Sequence, residues 1–216
     1  MNKNLTEIVL IVDTSGSMHR TKEDACGGIN SLIAEHTGAD GRANLTLAEF
    51  SGVVRYIHDG EDISKVKKYN MTPSGSTALL DAIGFTVQRV GKRLSETKEK
   101  DRPGLVLVAI VTDGAENSSN NFSQSQISEI ISEQENKYNW KFTFLGANQD
   151  SFLSARGLNM SLEGVANYSG TKEGTKAAYT ATSGKFMRMR EAQTMGLVAD
   201  NSFTSEEKEN MINPRI

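Results

Sequence analysis

Cysteine is almost absent from this 216-residue chain, which has one, Cys26, along with three histidines, one tryptophan and three prolines. A single thiol cannot close an internal disulfide, and with only His19, His36 and His58 beside it no zinc-type ligand set can be assembled. Both facts point to a reducing compartment. Long apolar runs are missing too. The longest, "IVLIV" (8–12) and "LVLVAIV" (105–111), are far shorter than the roughly 20 residues a helix needs to cross a bilayer. The opening "MNKNLTE" lacks the apolar stretch of a signal peptide. The expectation is a soluble protein kept in the cytoplasm of the cell that makes it. Lys and Arg number 24 against 27 Asp and Glu, a formal charge of −3. No basic block is dense enough to make nucleic acid the partner, and nothing marks a membrane as one. The sequons at Asn117 and Asn167 therefore read as chance in an Asn- and Ser-rich chain. No internal repeat is visible.

What is present is an alternation of strands and helices. "TEIVLIVD" and "GLVLVAIVTD" are unbroken β-branched and aliphatic runs, the pattern of central parallel strands covered on both faces. "ANLTLAEFSGVVRYIHDG" alternates around Ser51-Gly52 and predicts a hairpin toward one edge. "WKFTFLGAN", with Phe142 and Phe144 on one face, predicts a further parallel strand. Between these lie helical stripes: Ala25, Ile29, Leu32 and Ile33; Leu79, Ile83, Val87, Val90 and Leu94; Ile127, Ile130 and Ile131. Residues 91–104 lose the stripe into charge and read as a helix end and surface loop. A last helix is expected within Gly170 to Arg190. The chain divides into one α/β domain over 1–199 and a polar tail over 200–216, expected to be flexible. Right-handed crossovers then give an open, mostly parallel, Rossmann-like sheet with one antiparallel edge strand and helices on both faces. Ligands of such sheets bind beyond the carboxyl ends of the strands.

At that rim the first strand runs into Asp13, Ser15 and Ser17, every second residue. In extended chain these project to one side, and Gly16 lets the backbone pass closely under an ion. Carboxylate and hydroxyl oxygens without His or Cys are hard ligands, suited to magnesium, manganese or calcium. One carboxylate and two hydroxyls carry too little charge to hold a divalent ion alone. Asp113 offers a second carboxylate at the end of a neighbouring strand. Thr77, just before a helix, has a hydroxyl that can cap that helix or point at an ion. Ser74 and Ser76 lie close enough to stand in for it. Asn148 to Asp150 ("NQD") end a strand on the same rim and read as a turn and helix cap.

The pattern Asp13-x-Ser15-x-Ser17, then Gly75-Ser76-Thr77 before a helix, then Thr112-Asp113-Gly114, resembles the metal-ion-dependent adhesion site (MIDAS) of von Willebrand factor A (vWA) domains. Order, spacing and strand context agree across three separated segments, over roughly Leu5 to Gly157. The end of the chain resembles small stand-alone members from bacteria and their phages. The resemblance implies Ser15, Ser17 and Thr77 as direct ligands of Mg2+, with Mn2+ and Ca2+ as alternatives, and Asp13 and Asp113 acting largely through water. It also implies a partner protein whose Asp or Glu carboxylate completes the shell. The function expected is metal-dependent protein binding, not catalysis. An ion held mainly by neutral hydroxyls keeps much of its positive charge and an exchangeable water, which suits an incoming anionic oxygen.

Two other readings compete. An aliphatic strand ending in Asp13, with a second ending in Thr112, also resembles haloacid dehalogenase-like phosphatases, in which Asp13 would be a nucleophile. Those enzymes need a second acid where this chain has Ser15. No nucleophile elbow, P-loop or dinucleotide fingerprint is present. The other is a structural protein with no metal-dependent role. His19 reads as an incidental exposed residue, Cys26 as a small buried hydrophobe, and Met187, Met189 and Met195 as packing residues.

Overall fold

The computed structural model describes residues 1–147 and 151–214. Six strands, β1 (Asn2–Asp13), β2 (Arg42–Phe50), β3 (Val54–Asp62), β4 (Pro103–Thr112), β5 (Lys141–Ala147) and β6 (Val165–Tyr168), form one sheet in the order β3-β2-β1-β4-β5-β6. All neighbours are parallel except the β2–β3 hairpin, which makes β3 the antiparallel edge. Six helices connect or cover the strands: α1 (Lys22–Thr37), α2 (Leu79–Glu96), α3 (Gln124–Tyr138), α4 (Ser151–Gly157), α5 (Lys172–Thr194) and α6 (Ser205–Ile212).

The two unbroken apolar runs are explained by what covers them. Along β1 and β4 successive side chains enter opposite layers. Ile8, Leu10, Val12, Leu107 and Val111 pack with Ile29 and Leu32 of α1, Phe186 of α5 and Met211 of α6. Val9, Ile11, Val108 and Ile110 pack with Ile83 and Val87 of α2 and Ile127 and Ile131 of α3. Each such side chain gains about 1.5–3 kcal/mol from leaving water, so neither strand can tolerate a polar face. One exception is Glu7, fully buried in β1. Its carboxylate accepts from Arg93 of α2 at 2.7 Å and from the Thr46 hydroxyl of β2 at 2.8 Å. Removing one partner of such a buried pair costs about 3–5 kcal/mol, so the contact fixes where α2 lies across the sheet.

Three elements differ from the sequence expectations. β6 is only "VANY", too short to announce itself, and pairs with β5 from Phe144↔Val165 to Ala147↔Tyr168. Residues 200–214 are not a loose tail. Phe203 and Met211 are buried, and α6 opens with a capping box between Thr204 and Glu207. Two buried apolar side chains and a helix cap accompany the docking of a segment whose overall composition is polar. Met189 packs in the core as expected, whereas Met195 is 64% exposed just past the end of α5. Cys26 is buried and its sulfur accepts the Met71 N–H at 3.3 Å.

Candidate metal centre

The strand order reverses direction between β1 and β4: the chain after β1 moves to one side of the sheet, and the chain after β4 to the other. The crevice that opens there, beyond the carboxyl ends, is where open α/β sheets carry ligands. Asp13 and Asp113 sit at this point, at the ends of the two strands concerned.

Three loops converge on it and are stitched by backbone hydrogen bonds. Behind β1, the Gly16 N–H donates to the Gly75 carbonyl (3.2 Å) and the Ser74 N–H to the Thr14 carbonyl (2.7 Å). The Ala78 N–H donates to the Ser51 carbonyl (2.7 Å), tying the start of α2 to the β2–β3 turn. The Thr77 carbonyl accepts the Asn117 N–H (3.0 Å), and the Asn117 side-chain oxygen accepts the Thr77 N–H (2.9 Å). Gly75 has φ +82°, a left-handed conformation that a side chain would strain, and this turn delivers Thr77 to the crevice.

The loop between β4 and α3 also completes helix α2. The position before α2, Ala78, has no side chain to cap it. Glu116 instead accepts the Leu80 N–H at 2.8 Å, and Ser119 accepts the Asp81 N–H at 3.0 Å. In return the Asp81 carboxylate accepts the N–H groups of Asn120, Asn121 and Phe122 and the Asn121 side-chain amide, at 2.8–3.0 Å. Burial pulls the pKa of both carboxylates upward, but the hydrogen bonds they accept outweigh it and hold them below their ordinary values. Because the loop caps the helix, the Thr77 hydroxyl is not needed there.

The oxygens are brought close together. Asp13 is fully buried; its Oδ1 accepts the Ser15 N–H and its Oδ2 the Thr112 hydroxyl, each at 2.7 Å. Thr112 Oγ1 in turn accepts the Gly114 N–H at 3.1 Å. Ser15 Oγ and Ser17 Oγ lie 3.0 Å apart, and Ser17 Oγ donates to Asp113 Oδ1 at 2.5 Å. Thr77 is buried while Ser74 and Ser76 are exposed, so the threonine is the hydroxyl turned inward. A Cβ on Gly114 would stand 3.0 Å from Thr77 Oγ1 and 3.7 Å from Asp13 Oδ2, which places those two groups around one point. Burial raises the pKa of Asp13, hydrogen bonds from Thr112 and Ser15 oppose this, and nearby Asp113 adds to the rise.

These five residues fit a small hard cation. All donors are oxygens, and bonds of about 2.1 Å in an octahedron put neighbouring oxygens about 3 Å apart, the separation found between the two serines. Among the described residues no group of three or more His, Cys, Asp or Glu could hold a metal. An ion here would rest on hydroxyls as much as on charge. Asn148 to Asp150, expected as a turn on this rim, lie outside the described residues. Asp81, Glu116 and Asn117 were not found from sequence. The available signal was the uncapped start of α2, which required a cap from elsewhere.

No protein-family model matches the sequence, and no curated protein matches it. Solved structures do. Proximal thread matrix protein 1 from the mussel byssus superimposes with a TM-score of 0.60 at 16% identity, over 85% of this chain and 46% of that one. Another structure of that protein has a zinc-occupied MIDAS motif. A von Willebrand factor type A protein from Catenulispora acidiphila gives 0.57 at 13% identity, over 85% of this chain and 43% of that one. Manganese-loaded TRAP protein of Plasmodium vivax gives 0.55 at 18%, over 78% and 70%. This chain has the Rossmann-like fold of von Willebrand factor A domains. It spans under half the length of the mussel and Catenulispora chains, and at these identities the likeness is one of fold.

Proposed function

We propose that the chain is a divalent-metal-dependent protein-binding module, with Mg2+ at a MIDAS formed by Asp13, Ser15, Ser17, Thr77 and Asp113. The observation that carries this reading is the convergence of three hydroxyls and two carboxylates at the point where the strand order reverses. Ser15, Ser17 and Thr77 would hold the ion, and Asp13 and Asp113 would orient its waters and supply charge. The bound ion supplies an electrophilic position for a carboxylate from a partner. Thr112 and the Ser15 N–H fix the Asp13 carboxylate in place, and the Glu116–Asn117 loop fixes Thr77. The same geometry disfavours the hydrolase reading, because both oxygens of Asp13 are engaged and the residue is buried, unlike a nucleophile that must meet substrate.

A reducing cytoplasm accords with the single buried thiol. No helix among the described residues is long and apolar enough to cross a membrane. Calorimetric titration with Mg2+ and Mn2+ tests the metal. Binding should be present in the wild type and absent in Asp13→Ala and in the Ser15→Ala, Ser17→Ala double variant, all folded by circular dichroism. Wild-type affinity in either variant would remove the reading. Phosphomonoester turnover that disappears in Asp13→Asn would replace it with the hydrolase.

A further inference from the structure

Next to Ser17 and Asp113 lies a cleft of about 470 Å³ whose lining includes His19, Arg20, Tyr168 and Thr175. Its volume falls in the range of small-ligand clefts. It is donor-rich. His19 and Arg20, from the short helical turn Gly16–Arg20, are exposed, and neither makes an ion pair or side-chain hydrogen bond with any described residue. Arg55, Arg89, Arg93 and Arg188, by contrast, each meet a carboxylate. Tyr168 and Thr175 are 3% and 1% exposed and form the deeper lining. The Thr175 hydroxyl is buried and has no hydrogen-bond partner among the described residues. Such an orphan costs free energy unless a ligand or water satisfies it. The Tyr168 phenol in the same lining is a donor as well.

Among the described residues the only carboxylate in this lining is Asp113, at the end that abuts the candidate metal centre. The other polar side chains among them are Arg20, His19 and the hydroxyls of Ser17, Thr21, Tyr168 and Thr175. Resting on the reading of that centre as a metal site, we propose that this cleft is a second anion subsite. A partner segment that presents one carboxylate to the ion places another, one or two residues along, against Arg20, His19 and the Thr175 hydroxyl. The partner class is thereby narrowed from any protein with an exposed acidic side chain to an acidic segment with two neighbouring carboxylates. A cation beside a site that takes an anion gives specificity of this kind by charge complementarity.

The test uses the whole chain in Mg2+ and two end-capped, fluorescently labelled peptides, Gly-Glu-Gly-Glu-Gly and Gly-Glu-Gly-Gln-Gly. The wild type should prefer the diacid by about fivefold, the scale of one partly exposed charge pair. Arg20→Gln, at an exposed position, should abolish the preference while still binding Mn2+ in calorimetry, and Thr175→Val should reduce it. Equal binding of the two peptides by the wild type, or the same preference in Arg20→Gln, overturns the subsite. Absence of Mn2+ binding by the wild type would instead overturn the metal site and the subsite with it, so the two failures are distinguishable.

Discussion

Replacing Asp81 by asparagine changes one atom in size but should loosen the loop that carries Asn117 to Thr77. Oδ1 accepts the N–H groups of Asn121 and Phe122, and Oδ2 accepts the Asn120 N–H and the Asn121 side-chain amide. An amide keeps one oxygen. Whichever way it turns, two donors then face an NH2 group, and the other two bonds lose their charge assistance. A donor left without its partner costs about 1–3 kcal/mol. With two displaced donors and some relief from water at the loop surface, we expect about 3 kcal/mol of lost stability. Urea unfolding with an unchanged m-value would measure it. Because the same loop holds Thr77 through Asn117, Mn2+ affinity should fall by about tenfold, the equivalent of about 1.4 kcal/mol. Stability within about 0.5 kcal/mol of wild type, the usual range for a surface change, would refute the claim that Asp81 organises the loop. Lost stability with intact metal affinity would refute only the step from loop to site.

Acid should act on the same loop: the folded-state pKa values of Asp81 and Glu116 lie below the ordinary 3.8 and 4.5, so their stabilisation is present above those values and lost as pH falls through the lower ones. Amide exchange at Leu80, held by Glu116, should quicken in that window; protection that persists down to global unfolding would count against it. Gly28→Ala should cost about 2 kcal/mol or more in chemical denaturation, since a Cβ there would stand 2.6 Å from Tyr179 Cβ and Cγ across the α1–α5 contact; wild-type stability would mean the two helices can part freely. Lys185 is fully buried, donating to the Thr143 hydroxyl at 2.7 Å and lying over the Phe203 ring, and burial drives its pKa well below 10.5. The unfolded chain then binds more protons between the two values, so wild-type stability should rise with pH toward 10.5, and Lys185→Met should flatten that rise. An identical slope in thermal unfolding from pH 7 to about 10 would place the charge elsewhere.

The sheet was legible because its two central strands are covered on both faces, which forces continuous apolar runs that no other element imitates. The hairpin at Ser51-Gly52 and the stripes of α1, α2 and α3 followed from period alone. Legibility failed where a segment draws its order from distant partners. β6 has four residues and depends on β5, and α6 depends on Met211 reaching the core. The site divides in the same way. Asp13, Ser15, Ser17 and Asp113 are visible as a spaced pattern because they sit where strands end, and Thr77 because it shortly precedes a helical stripe. Asp81 reads in sequence as an ordinary acid in the first turn of a helix, and Glu116 as a loop charge. Nothing local reveals that each accepts backbone N–H groups from the other's segment.

The joins that assemble the crevice are long in sequence: Thr112 reaches Asp13 across 99 positions, and Ser17 reaches Asp113 across 96. Closing loops of that length is the slow part of building a parallel sheet. A chain emerging from the ribosome therefore carries Asp13, Ser15 and Ser17 with no Asp113 to meet them until 96 further positions have been added after Ser17. The first strand has to wait for the fourth, and α2 for the loop that caps it. The assembled crevice thus arrives together with global folding and not before it, so an unfinished or misfolded copy of this chain lacks the arrangement of oxygens described above.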